Sequence, residues 1–463
     1  MAHTGKTPLT DPTILKQFYT VGPRHTAYPS TDRFVEAFGP EDHALWLRKR
    51  GIGGFSRELG LYVHMPMSSI VCPSCGRGST AMSEREPDAQ YLDYLDKELR
   101  LNSGYLDERA LMHLHWGGDT TSLLCNEALG ATWRRLDRHF EQSDQTRCSI
   151  EIDPVTVDEQ QMASMAEAGV NELCVNVREC EAGMRGCVDS NRLLAATESA
   201  VAAARRVGIG SITVNLVFGV PGQTVMAFNQ TLKRLLALQS NRLSLQDYTR
   251  LPTAARGSRK DRPADSLAEE TRAQLFSVAV MRLSGAGYVH IGMNQFARSE
   301  DELAVAQRQG RLHRNIEGYC CYGDCDVLGV GVASISAIGP TYSQNARLIE
   351  DYYSLLDEDV IPVTRGIELT TDDLARRTVM NALMCHFEVA FESVEIAHLL
   401  DFASYFADEL EELQVFADAG LVTIDDGWLS ITDRGRYVVW TICRVFDRYL
   451  RLDRRRASLE KVL

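Results

Sequence analysis

No apolar run in this 463-residue chain approaches the ~20 residues a membrane span needs. Its start, Met-Ala-His-Thr-Gly-Lys-Thr-Pro, carries no apolar leader. Membrane and secreted classes are therefore not expected, and the reading is a cytoplasmic chain. Positive charge is also short: 49 Lys and Arg stand against 63 Asp and Glu, a net charge of −14. That argues against nucleic acid or an anionic membrane as partner, since both are bound through excess cations. Internal repeats and low-complexity tracts are absent. In a reducing compartment the 12 cysteines read as thiols, metal ligands or small core residues, not disulfides. The composition, 44% apolar and 24% charged, is that of an ordinary globular protein.

What is present is a rhythm. Short β-branched runs alternate with helical patterns, the signature of a parallel sheet. Strands are expected at Leu61–His64, Leu111–Trp116, Ser149–Ile152, Glu172–Val177, Ile212–Phe218 and Leu243–Tyr248. An alanine-rich helix is expected over Leu194–Val207, stopped by Gly208. Six such units predict an α/β fold, a partial (β/α)6 barrel in place of a complete eight-stranded one. Ligands then belong at the C-terminal strand ends, where Cys72, Gly117-Gly118, Glu151 and Asn215 fall. The charged, proline-containing stretch Arg250–Ala268 reads as a long loop. Residues 1–50 are expected to form an N-terminal capping segment, 51–364 the barrel with an extension, and 365–463 a helical domain. Gly420–Thr432 reads as a β-hairpin with an Asp-Gly turn, which makes that last domain winged-helix-like. Acidity favours a structural or substrate-capping role for it over DNA binding.

The chemistry-bearing feature is Cys72-x-x-Cys75, which follows the strand Tyr62-Val63-His64. Alone it is a weak signal, open to zinc binding, redox chemistry or a structural role. Gly117-Gly118 is not a P-loop, because the Lys-Ser/Thr signature is missing; close backbone approach to a ligand is the better reading. Cys320, Cys321 and Cys325, and Cys174, Cys180 and Cys187, match no ligand spacing and read as small buried residues. A metal site involving His313 is the alternative for the first trio.

Many segments together resemble one family. They are Gly22-Pro23-Arg24, Tyr28-Pro29, Tyr62-Val63-His64, His115-Trp116-Gly117-Gly118 and Glu151-Ile152-Asp153-Pro154, then Gly219-Val220-Pro221, Gly292-Met293, Phe296-Ala297-Arg298, 301–308 and His313-Arg314-Asn315. Over nearly its whole length the chain is similar to oxygen-independent coproporphyrinogen III dehydrogenases, radical S-adenosylmethionine (SAM) enzymes of porphyrin biosynthesis. The resemblance implies a [4Fe-4S] cluster, two SAM molecules and a reaction that converts two propionates of coproporphyrinogen III to vinyl groups.

It also implies a site, and the site is altered. A Cys-x-x-x-Cys-x-x-Cys loop should hold the cluster; Cys72 and Cys75 match two ligands and Ser68 stands at the third. SAM-site positions fall on Tyr62, Ser74, Gly118, Asp119, Thr120, Glu151, Arg178, Ser190, Asn215, Thr249 and Ile335. Ser74 replaces an aromatic residue and Asp119 a glycine. Arg178-Glu179 stands for a Gln-Asp pair, Asp189-Ser190 for Asn-Arg, and Asn215 for an aspartate. Thiolates hold iron because sulfur is soft and deprotonates within reach of neutral pH; a serine hydroxyl does neither. The expectation is an impaired or inactive homologue that still binds a porphyrinogen or another tetrapyrrole, a monomer that works beside an active paralogue. An active enzyme with a substitute iron ligand and a tetrapyrrole carrier are the alternatives.

Overall fold

The computed structural model describes residues 12–18, 28–50, 57–65, 89–118, 126–178, 189–250, 267–323 and 325–460. The chain forms two compact units, both discontinuous in sequence. One is built from Arg33–Leu267 and Asp324–Glu368, the other from Met1–Asp32, Ala268–Gly323 and Leu369–Leu463.

The first unit holds the parallel strands β1 (Glu58–His64), β2 (His113–Gly117), β3 (Arg147–Ile152), β4 (Glu172–Val177), β5 (Ser211–Phe218) and β6 (Arg242–Asp247). They lie side by side in chain order. All six expected strands are there, with ends shifted by a few residues. The sequence reading left the strands of the extension unassigned; they lie on the free edge of β1. There Cys325–Val330 runs parallel to β1, and Ile335–Ile338, Thr341–Asn345 and Val363–Glu368 follow, each antiparallel to the one before. The sheet thus grows outward from β1 instead of closing into a ring, which is the partial-barrel arrangement.

Helices fill the crossovers: Ala89–Ser103 after β1, Asn126–Leu136 after β2, Glu159–Glu167 after β3, Ser190–Arg206 after β4 and Val225–Ala237 after β5. The fourth starts earlier than its alanine pattern predicts because Asp189 caps it, accepting from the Asn191 and Arg192 N–H groups. An aspartate there satisfies orphan donors and complements the helix dipole. Gly208, at φ +87°, ends the segment as expected.

The two faces of the parallel sheet differ, and that difference makes the site. One face is an apolar layer: Leu61, Val63, Leu114, Trp116, Ile150, Ile152, Leu173, Val175, Ile212, Val214, Leu243 and Leu245 are all buried. Each such side chain contributes roughly 1.5–3 kcal/mol of burial. Trp116 stacks on Trp133 of the second crossover helix at 4.7 Å between ring centroids. Phe218 meets Phe228 of the fifth at 6.2 Å. Because side chains alternate along a strand, the opposite face carries Tyr62, His115, Ser149, Glu151, Cys174, Asn176, Thr213, Asn215, Ser244 and Gln246. Parallel strands usually read as apolar on both faces; this polar face departs from that.

The second unit contains the helix Glu269–Gly285, the hairpin Tyr288–Gly292 and Gln295–Arg298, and a short ribbon of His313–Arg314 with Tyr319–Cys320. Thr371–His386, Phe391–His398 and Ala407–Asp418 form its helical part. Val422–Asp425 and Trp428–Ile431 make the expected hairpin, and Glu388–Ala390 adds a third strand to it. The turn is Asp426-Gly427, with Gly427 at φ +83°. This order of helices, strand and hairpin is winged-helix-like. Among the described residues no helix is long and apolar enough to cross a membrane.

Candidate functional site

The polar face is layered from the N-terminal to the C-terminal strand ends. At the bottom, Arg147 donates to Glu172 at 3.3 Å, and Arg242 lies 3.9 Å from the same carboxylate. In the middle, His115 Nδ1 hydrogen-bonds Ser149 Oγ at 2.6 Å. Burial, reinforced by Glu151 and Glu172, pushes the Cys174 thiol up and keeps it protonated. At the top, Glu151 is buried and accepts the Gly118 N–H at 3.3 Å, with His115 Nε2 at 3.7 Å from its other oxygen.

Tyr62 stacks on His115 at 5.6 Å and its hydroxyl meets His64 Nδ1 at 3.1 Å. His64, the last residue of β1, is thereby engaged by its own strand. The glycines after β2 are required by the chain's own neighbours. A Cβ on Gly117 would lie 2.4 Å from the Tyr62 hydroxyl. One on Gly118, at φ +102°, would lie 2.3 Å from the Met65 carbonyl oxygen. Ligand approach, the reason read from sequence, is therefore not needed to explain them.

At the ends of β4 and β5, Asn215 Nδ2 donates to Asn176 Oδ1 at 3.0 Å. The Asn176 Nδ2 is buried and has no hydrogen-bond partner among the described residues. Arg178 follows at the exit of β4. The other expected SAM positions are dispersed. Ser190 is exposed in the first turn of its helix. Thr249 donates through its N–H and hydroxyl to Asp247 Oδ1, at 2.8 and 2.6 Å. Ile335 opens the strand beside Gly329, whose Cβ would lie 2.4 Å from the Ile335 carbonyl oxygen. Ser68, Cys72, Ser74, Cys75, Asp119 and Thr120 lie outside the described residues, as do Arg24, Cys180 and Cys187. The structure thus brings Tyr62, Gly118 and Glu151 together at the ends of β1 to β3, and places Asn215 two strands further on. Sequence reasoning missed Asn176; its signal was a polar residue in the β-branched run of β4.

The strand-end groups fit an amino-acid-like ligand such as SAM: a buried carboxylate can face an ammonium group, and a buried amide lacks an acceptor. The cluster donor set does not fit. Ser68, Cys72 and Cys75 supply two thiols and a hard hydroxyl where three soft thiolates are needed. Among the described residues no group of three His, Cys, Asp or Glu could hold a metal ion. Cys320 is buried, and Cys321, partly buried, packs against the cluster of Ile291, Leu303 and Leu312.

Comparison with known proteins agrees with the architecture. Residues 369–438 match the HemN C-terminal domain. The chain is 36% identical over 454 residues to the oxygen-independent coproporphyrinogen III oxidase of Salmonella typhimurium, covering 98% of each chain. It is 36% identical over 452 residues to that of Pseudomonas aeruginosa, covering 97% of this chain and 98% of the relative. Among solved structures, coproporphyrinogen III oxidase (HemN) from Escherichia coli, a radical SAM enzyme, superposes with a TM-score of 0.84 at 34% identity, covering 94% of this chain and 98% of that one. Identity at this level along nearly the full length, on a shared fold, establishes that the chain belongs to the oxygen-independent coproporphyrinogen III oxidase family.

Proposed function

We propose that this chain is a ligand-binding member of that family, which holds a porphyrinogen-type tetrapyrrole and a SAM-like molecule at its strand ends without decarboxylating the tetrapyrrole. The observation that carries this reading is the donor set Ser68-x-x-x-Cys72-x-x-Cys75. A cluster anchored by two thiolates is labile, and the redox step of the related enzymes depends on it. Ligand binding depends instead on the polar face, where His115 stacks on Tyr62, hydrogen-bonds Ser149 and lies 3.7 Å from Glu151, which accepts the Gly118 N–H. Arg178, Ser190 and Asn215 replace groups expected at a second SAM, which argues against restoring turnover by a single change.

An active enzyme with a substitute iron ligand is the second reading. Cys174 is the thiol on the polar face among the described residues, and burial with Glu151 at hand disfavours its thiolate. That weighs against it as a replacement.

Anaerobic iron–sulfide reconstitution tests the proposal. The natural chain is expected to hold fewer than a full complement of iron and to release no 5′-deoxyadenosine from SAM. Ser68→Cys is expected to raise cluster loading, read by thiolate-to-iron absorption, without forming vinyl groups from coproporphyrinogen III. A complete cluster in the natural chain, with vinyl product, overturns the proposal.

A further inference from the structure

From Thr378 to Asp433, within the second unit, the chain holds no Lys or Arg and 12 Asp and Glu. At the chain's average of 49 Lys and Arg in 463 residues, a stretch this long would carry about six. Five of the eleven large apolar side chains exposed among the described residues fall in the same stretch. Ile396, at 70%, and Leu399, at 92%, are the most exposed of the five. We infer that the outer face of the helix Phe391–His398, with the wing turn at its start, docks a basic amphipathic helix of another protein. This surface needs neither a tetrapyrrole nor SAM, and stands apart from the function proposed above.

One short helix is divided into two sides. Its inner side carries Val394, which is buried, and Phe391, whose ring stacks on Phe402 at 4.0 Å between centroids. Glu392, Ile396 and Leu399 stand at i, i+4 and i+7 and line the outer side. Its far end is fixed, because Thr378 Oγ1 meets His398 Nε2 at 2.9 Å and Glu395 accepts the Phe402 N–H at 2.9 Å. At the near end the Phe391 N–H donates to the Gly427 carbonyl at 2.8 Å, and Ala390 is paired with Trp428. The wing turn, with Asp425, Asp426 and the exposed Trp428, therefore adjoins the start of the helix. Nothing in the fold asks for leucine at 399. It caps the helix at φ +54°, a conformation that favours glycine or asparagine, and leaves its side chain in water.

Apolar groups at this spacing fit the i, i+3 and i+7 side chains of a second helix. No cation of the segment answers Glu392, Asp425 and Asp426, so they select Lys and Arg at the rim of that helix. Nucleic acid and anionic membranes carry the wrong charge for this face. The stripe spans about two helical turns, which makes the interface small and the binding weak, on the order of micromolar.

The test titrates the full chain, by fluorescence anisotropy, into a fluorescein-labelled amphipathic helix made of Leu and Lys. A peptide with Glu in place of every Lys is the charge control. The natural chain is expected to bind the Leu/Lys peptide and not the Leu/Glu one. The double variant Ile396→Ser, Leu399→Ser and the double variant Glu392→Lys, Asp426→Lys should each weaken binding about tenfold. Met226→Ser with Met281→Ser, which alters apolar side chains exposed elsewhere, should leave it within about twofold. Melting curves verify that each variant folds, and the charge pair decides the matter if the serine pair does not. Failure of the natural chain to bind the Leu/Lys peptide overturns the inference. So does equal binding by the natural chain and the folded face variants, or an equal loss in the methionine control. Sedimentation velocity and flotation with phosphatidylcholine vesicles examine the other occupants. A dimer, or vesicle binding, that the serine pair abolishes would give the face to a second copy or to lipid and overturn the proposal.

Discussion

Around Glu98, in the helix Ala89–Ser103, every carboxylate oxygen is answered from within the chain; at Asn176 one donor has no partner among the described residues. Glu98 is fully buried. It accepts from the Tyr352 hydroxyl at 2.6 Å, Asn345 Nδ2 at 2.6 Å and the Gly331 N–H at 2.7 Å. Tyr91 of the same helix donates to the His64 carbonyl at 2.7 Å and accepts from the Val332 N–H at 3.2 Å. This network ties the helix to the exit of β1 and to the strand Cys325–Val330. Both clusters are polar and buried in one unit, but the first is complete without a ligand and the second is not. Completeness is what separates a polar network that holds the fold from one shaped for something else.

Removing the Glu98 carboxylate gives the largest effect. Glu98→Ala leaves the Tyr352 hydroxyl, the Asn345 amide and the Gly331 N–H without their acceptor. It should cost about 4 kcal/mol of unfolding free energy in urea melts. A loss under about 1 kcal/mol would break the comparison from the structural side.

The next effect is on pH dependence. Burial raises the Glu98 pKa from 4.5 to about 7, against hydrogen bonds that lower it. A carboxyl group raised on folding favours the native state most when both states are protonated. Its contribution is therefore full below pH 4.5 and lost as pH climbs towards 7, by about 3 kcal/mol in all. His43 and His290, held neutral by burial with pKa values lowered to about 4, act oppositely: their stability is present above 6.5 and lost as pH falls. Subtracting the Glu98→Gln profile from that of the natural chain cancels both histidines. The difference should fall steadily between pH 4.5 and 7, and a flat difference would show that Glu98 titrates normally.

The smallest effect is expected at the incomplete cluster. Asn176→Leu removes a donor that has no partner among the described residues together with the acceptor of one Asn215 hydrogen bond, so the two effects oppose each other and stability without ligand should change by less than about 1 kcal/mol in the same urea melts. A loss as large as that of Glu98→Ala would make Asn176 a structural residue and dissolve the contrast.

Much of the fold was legible in local chemistry. The runs of β1 to β6 announce themselves by β-branched residues, and Gly208 and Asp426-Gly427 mark a helix stop and a turn through backbone conformations that favour glycine. The extension beside β1 was harder to read. Its strand Thr341–Asn345, Thr-Tyr-Ser-Gln-Asn, is fully buried yet mostly polar, so hydrophobic patterning gives no cue. In the site, Glu151 and Asn215 were visible as polar strand-end residues. Asn176 was not, because its meaning lies in a missing partner. The early start of the helix Ser190–Arg206 was hidden in Asp189, whose role as a cap shows only when its oxygen meets two N–H groups.

Sequence by itself determined the order of strands and helices, the kinship and the oxygen that stands among the sulfurs at Ser68, because these depend on residue type and local spacing. Only the tertiary structure decided which polar groups meet. Asn176 reaches a partner 39 residues away and Glu98 one 254 residues away. Such pairings follow from strand register and helix packing, which the buried apolar face fixes and no single segment encodes.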